Sequence, residues 1–90
     1  MNMNRENHFG TDNPDGYIAA AFATNDPASI ARALGDVART RNMSKLAKDV
    51  GMNRSALYRA LSGEGNPEFA TILKVVKALG LKLTPVPAAH

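Results

Sequence analysis

The stretch MSKLAKDVGMNRSALYRAL, residues 43–61, decides the fold of this 90-residue chain. Ser44 stands just before a short apolar run, Leu46, Ala47 and Val50, and reads as a helix N-cap. Gly51 follows, where a left-handed residue closes a helix without the strain that a Cβ brings. Asn53 reads as the cap of the next helix, with Leu57, Ala60 and Leu61 on its inner face. Ala47 is small enough for the place where two helices cross, and Gly51 reverses the chain four residues later. Leu46, Val50, Met52 and Leu57 supply apolar contacts on both sides of that reversal. The pattern predicts a helix-turn-helix over about 44–62, the arrangement in which one helix enters a DNA major groove while its neighbour crosses the backbone. A helical hairpin without a nucleic-acid role is the competing reading of the same spacing.

Working outward, Asp26-Pro27 opens the helix before the motif, because the aspartate can cap free N–H groups and proline suits the first turn. Ile30, Ala33, Leu34, Val37 and Ala38 then recur at helical spacing, and this helix is expected to end near Asn42. An earlier helix is expected over Asp15–Thr24, with Ile18, Ala21 and Phe22 on one face. After the motif, Ser62-Gly63-Glu64-Gly65 breaks the pattern, and Asn66-Pro67 is expected to open a fifth helix. Phe69, Ile72, Leu73, Val76 and Leu79 mark its expected buried stripe, and Gly80 its end. Leu81 to Thr84 alternates apolar and polar, as a short edge strand would, limited by Pro85 and Pro87. The chain thus reads as an all-α domain of five helices over residues 15–84, with a short extended segment at its C-terminal end. A polar, disordered tail is expected over residues 1–14 and a second tail over 85–90.

Charge is distributed unevenly. Residues 1–38 carry Arg5 and Arg32 against Glu6, Asp12, Asp15, Asp26 and Asp36, a net −3. Residues 39–59 carry Arg39, Arg41, Lys45, Lys48, Arg54 and Arg59 against Asp49 alone, a net +5. Residues 60–90 come to +1, which makes +3 for the whole chain. A basic block inside a nearly neutral chain is the footprint of phosphate contact, although a solvated face would look the same.

Within that block, Arg54, Ser55, Tyr58, Arg59 and Ser62 lie off the Leu57/Leu61 face of the second motif helix. Arg54 and Ser55, near its start, are the candidates for reading base edges, since an arginine can hold guanine O6 and N7 together. Arg59, about one turn on, can reach either a base or a phosphate, and Tyr58 can stack on the sugar-phosphate or pack at the rim. Ser44 and Lys45 begin the preceding helix, whose unpaired N–H groups favour a phosphate, with Asn42 beside them. Asn53 combines a capping role with a place in the same interface. Arg41 and Lys48 read as backbone or solvent charges.

Other chemistries find little support. There is no cysteine, hence no disulfide and no thiolate metal site, which suits a reducing cytoplasm. His8 and His90 stand in opposite tails without a partner at metal-ligand spacing, and no cofactor is expected. Asp12-Asn-Pro-Asp-Gly16 lacks the acidic spacing of a calcium loop. The apolar run Tyr17–Ala23 is too short for a membrane span, and no enzymatic constellation of acid, base and nucleophile stands out. A domain this small buries roughly 60% of its unfolded surface, so association with a second copy would help to stabilise it.

Three strings carry a resemblance: ALGDVAR at 33–39, LYRALSGEGNPEFAT at 57–71 and LKVVKALGL at 73–81. With them, residues 26–84 resemble the addiction-module antidote proteins of bacteria, a HigA-like branch of the lambda-repressor-type helix-turn-helix family. The resemblance implies a five-helix fold, binding to the operator of its own operon, and complex formation with a small RelE/HigB-like toxin. Because one recognition helix covers only a few base pairs, a homodimer on inverted half-sites is expected. A stand-alone helix-turn-helix transcription regulator without a toxin partner, or a domain used only for protein contacts, are the other functions this sequence accommodates.

Overall fold

Local signals account for most of the five helices seen in the computed structural model, which describes residues 13–88. Of the tail expected over residues 1–14, residues 1–12 lie outside the described residues, as do His8 and His90, while Pro14 already belongs to the first helix. Helix α1 spans Pro14–Ala23, α2 Pro27–Ala38, α3 Met43–Val50, α4 Arg54–Ala60 and α5 Phe69–Ala78. Among the described residues there is no strand, so this is an all-α domain. None of its helices is long and apolar enough to cross a membrane.

Helix α1 starts at Pro14, one residue before the expected Asp15, and sinks only Ile18 fully into the core. Asn25 takes the left-handed conformation after it (φ 57°), which asparagine tolerates better than most residues. Asp26 then caps α2 by accepting hydrogen bonds from the Ser29 N–H (3.1 Å) and the Ser29 hydroxyl (2.6 Å). Helix α2 buries Ala31, Ala33, Leu34, Gly35, Val37 and Ala38. It ends at Ala38, four residues short of Asn42. The Thr40 hydroxyl donates to the Val37 carbonyl and the Arg41 N–H to that of Ala38, so these carbonyls are satisfied without another helical turn.

Asn42 is instead the cap of α3, its side-chain oxygen accepting from the Lys45 N–H at 3.1 Å. Ser44, the expected cap, lies inside the helix and exposed. The helix begins at Met43, whose side chain is buried. Gly51 closes α3 at φ 77°, with its own N–H donating to the Lys48 carbonyl and the Met52 N–H to that of Ala47. This paired 5→2 and 6→1 closure is the Schellman motif. Asn53 caps α4 through its side-chain oxygen and the Ala56 N–H (2.7 Å).

Helix α5 begins at Phe69, two residues after Pro67, without a side-chain cap. Its buried stripe is Ile72, Val75, Val76 and Leu79, which departs from expectation at three places. Val75 is fully buried, whereas Phe69 is 65% and Leu73 41% exposed. At ~100° per residue Leu73 stands about 110° from the centre of that stripe, too far round to reach the core. The segment after Gly80 forms no strand; Leu81 and Leu83 rest on the core while Lys82 and Thr84 face water, an alternation made against helices rather than a sheet.

Packing joins α1 to α2, α3 to both α4 and α5, and α2 to α5. Leu34, Val37, Leu57, Leu61 and Val75 are the largest fully buried side chains and form the centre. Close approach of α2 to the end of α4 needs Gly35, because a Cβ there would stand 2.4 Å from the Leu61 carbonyl oxygen.

Two variants test this frame by urea denaturation. Gly51→Val meets no neighbour, since nothing lies within 4 Å of a Cβ built there. It is expected to lose about 1–2 kcal/mol through left-handed strain. Gly35→Ala is expected to lose about 1–3 kcal/mol by overpacking. Wild-type stability in Gly35→Ala would contradict the close α2–α4 approach. Asp26 supplies a pH test, because the Ser29 hydroxyl and N–H hold its carboxyl below the usual aspartate range. Its capping contribution is therefore present at neutral pH and is lost as the pH falls through and below that range. Asp26→Asn keeps a capping oxygen but cannot ionise, so its melting temperature should fall less steeply than that of the wild type on acidification.

Candidate nucleic-acid interface

The exposed side of α4 is set by what its other side buries. Leu57 and Leu61 are withdrawn from solvent. Helical geometry then spreads positions 54, 55, 58, 59 and 62 over an arc of about 140° on another side. Arg54, Ser55 and Arg59 are exposed there, and Tyr58 and Ser62 are half-buried. The Ser62 hydroxyl is engaged locally, donating to the Arg59 carbonyl (2.9 Å) and accepting from the Glu64 N–H (3.1 Å), so it shapes the exit from α4. Asn53 is engaged in the same way at the entry, as the helix cap.

The start of α3 adds a second group of these residues. Ser44 and Lys45 are exposed, and Asn42 is exposed with its side-chain oxygen on the Lys45 N–H. The Lys45 ammonium lies 3.1 Å from the Asp49 carboxylate one turn on, an exposed i,i+4 pair that holds the lysine along the helix without burying it. A pair of this kind is worth about 0.3–0.5 kcal/mol, little enough for a phosphate to compete. Arg41 and Lys48 also face solvent.

One contact in this region joins elements that the sequence keeps apart. The Arg54 guanidinium lies 5.7 Å from the centre of the Tyr58 ring, and its Nη2 donates to the Tyr58 hydroxyl at 3.4 Å. The Arg39 guanidinium, from the C-terminal end of α2, lies 5.6 Å from the same ring. Behind Arg39 stands Asp36, 3.5 Å from it, and the Asp36 carboxylate also accepts from the Tyr17 hydroxyl of α1. That hydrogen bond to Asp36, followed by partial burial and the aspartate's charge, raises the Tyr17 pKa above the usual tyrosine value. Arg39 was visible in sequence only as one charge of the basic block. Nothing in helical periodicity relates it to Tyr58, nineteen positions later in a different helix.

Among the described residues no group of three His, Cys, Asp or Glu side chains is placed to hold a metal ion. The concentrated chemistry here is a set of exposed cations and small hydroxyls on two short helices joined by a tight turn. The sequence profile of a family described as "Probable addiction module antidote protein" matches residues 11–87. The chain belongs to this family. This antidote-family protein is also 62% identical over 66 residues to an uncharacterized protein of Haemophilus influenzae (strain Rd), a match covering 73% of this chain and 68% of the relative. No solved structure matches it. The family match spans all five helices, not only the α3–α4 pair.

Proposed function

We propose that this antidote-family protein binds double-stranded DNA with α3 and α4, represses its own operon, and neutralises a RelE/HigB-like toxin. The observation that carries the DNA reading is the build of α4: a helix seated by Leu57 and Leu61, opened by the Asn53 cap, and turned against α3 by the Schellman closure at Gly51. Arg54 and Ser55 occupy its first turn, where a recognition helix meets base edges, and Arg59 lies one turn further along. In this reading α4 enters the major groove. Ser44, Lys45 and Asn42 meet phosphates at the start of α3, while Asn53, Tyr58 and Ser62 set and flank the reading helix.

A single helix of this length reads only a few base pairs, so the protein acts as a homodimer on inverted half-sites about one helical turn, ~34 Å, apart. Phe69 and Leu73 support pairing with a second copy, since the described residues leave them exposed. The toxin reading rests on the antidote family itself and on charge. Such a module is at work in the cytoplasm, and the acidic region from Asp12 to Asp36 suits a basic toxin while the basic block holds DNA.

Each half is open to measurement. Arg54→Ala should cost about 1–3 kcal/mol for each occupied half-site and relax base preference at one symmetric pair of positions, read by binding to a library of operator variants. Lys45→Ala should weaken all members of that library alike. An unchanged preference in folded Arg54→Ala would remove it from base reading. For the toxin, deletion of α1 is a poor test because Ile18 belongs to the core. Asp12→Lys combined with Asp15→Lys should instead slow association with the neighbouring gene's product by several-fold and spare operator affinity. An unchanged association rate would remove the acidic region from the toxin contact.

A further inference from the structure

Like charges spread apart on a surface unless something holds them, and on this surface two guanidinium groups share one aromatic ring. Arg39 and Arg54, from different helices, both stand within 6 Å of the Tyr58 ring centre, at 5.6 and 5.7 Å. Electron density on an aromatic face attracts guanidinium cations at such range. We propose that Arg39, Arg54 and Tyr58 together form a clamp for a backbone phosphodiester of duplex DNA, with Arg39 as a DNA-binding residue contributed by α2 from outside the α3–α4 pair. This rests on the reading of α4 as the DNA-facing helix and extends it to the phosphate beside the base that Arg54 reads: Arg54 turns two of its five donors to the base edge and others to that phosphate, whereas Arg39 serves the phosphate alone.

Three features carry the assignment. The first is donor capacity. A guanidinium has five N–H donors. The contacts seen here occupy few of them: a 3.5 Å ion pair from Arg39 to Asp36, and a 3.4 Å bond from Arg54 to the Tyr58 hydroxyl. Both are long, and both groups keep donors for a tetrahedral anion with several acceptor oxygens. The second is prior positioning. Asp36 holds Arg39 from behind and is itself held by the Tyr17 hydroxyl. The guanidinium folds back past Gly35 toward the end of α4, with Nη1 3.1 Å from where a Gly35 Cβ would stand. Side-chain entropy is therefore spent in folding rather than at binding. The third is the setting. Asp36 offsets one of the two cations, leaving the cluster at +1, but the rest of segment 39–59 adds +3, with Arg41, Lys45 and Arg59 exposed. A continuous polyanion suits that field better than an isolated carboxylate of a protein partner.

The test uses the full-length protein and a fluorescent, mixed-sequence DNA duplex, with binding followed by anisotropy over a range of salt concentrations. Arg39→Gln and Arg54→Gln are compared singly and together, with Lys45→Gln as a reference for an ordinary phosphate contact. Arg39 and Arg54 are exposed and their contacts weak, so the variants should stay folded with thermal melts only slightly lowered. The clamp predicts that Arg39→Gln weakens low-salt binding several-fold and reduces the slope of log K against log salt by up to about 0.9. It also predicts that the double variant loses less than the product of the two single losses, because either substitution opens the clamp. If Lys45→Gln lowers the slope while Arg39→Gln leaves it alone, the DNA reading stands and the clamp is overturned in favour of a protein-facing role for Arg39. Losses that multiply would make the two arginines independent cations and also overturn it. A wild-type protein without salt-dependent duplex binding would overturn the reading and the clamp together.

Discussion

Which side of α4 meets solvent is decided by the reversal at Gly51 together with the burial of Leu57 and Leu61. The Schellman closure ties the Met52 N–H back to the Ala47 carbonyl and so sets the direction in which the chain leaves α3. Only then can the Asn53 cap start α4 where Leu57 falls into the core beside Leu34 and Val37. Every exposed residue of the candidate interface inherits its place from that constraint. Rotating α4 by one position, ~100°, would expose Leu57, and in one sense of rotation would carry Arg59 inward at a cost of several kcal/mol for a desolvated ion. The frame therefore holds the arginines outward without any direct contact to them.

Electrostatics work on top of this frame. No charged or polar side chain is buried among the described residues, so the charges stabilise the fold only weakly and remain available to partners. Their sign divides the molecule: acids gather in the N-terminal third and bases in 39–59. The chain Tyr17–Asp36–Arg39–Tyr58–Arg54 crosses that division, linking α1 to α4 through two hydrogen bonds, an ion pair and a shared ring. Under the proposed function, DNA and toxin would lie on either side of this boundary.

Local signals were legible where one residue does one local job. Asp26, Gly51 and Asn53 each act within three or four residues of themselves, and each takes the conformation and bond its type favours. The exact start of α3 was not legible: Ser44 was read as the cap, but Asn42, two residues earlier and equally of a capping type, takes that place with its side chain on the Lys45 N–H. The same holds at Asn66-Pro67, where α5 waits until Phe69, and at Phe69 and Leu73, whose apolar character suggested burial that the rest of the core does not provide. Within the candidate interface, exposure of Arg54, Ser55 and Arg59 followed from α4 periodicity. The approach of Arg39 to Tyr58 depends on how α2 crosses α4, a tertiary fact that no window of sequence contains.

DNA contact through α3 and α4 is tested most directly by a map of backbone amide shifts by NMR as the protein is titrated with duplex DNA from upstream of its own gene. The account predicts the largest shifts at Ser44, Lys45, Arg54, Ser55 and Arg59, with Arg39 moving alongside them and the α1 amides from Asp15 to Ala23 nearly still. Shifts concentrated on α1 and residues 81–88, with α4 silent, would contradict it.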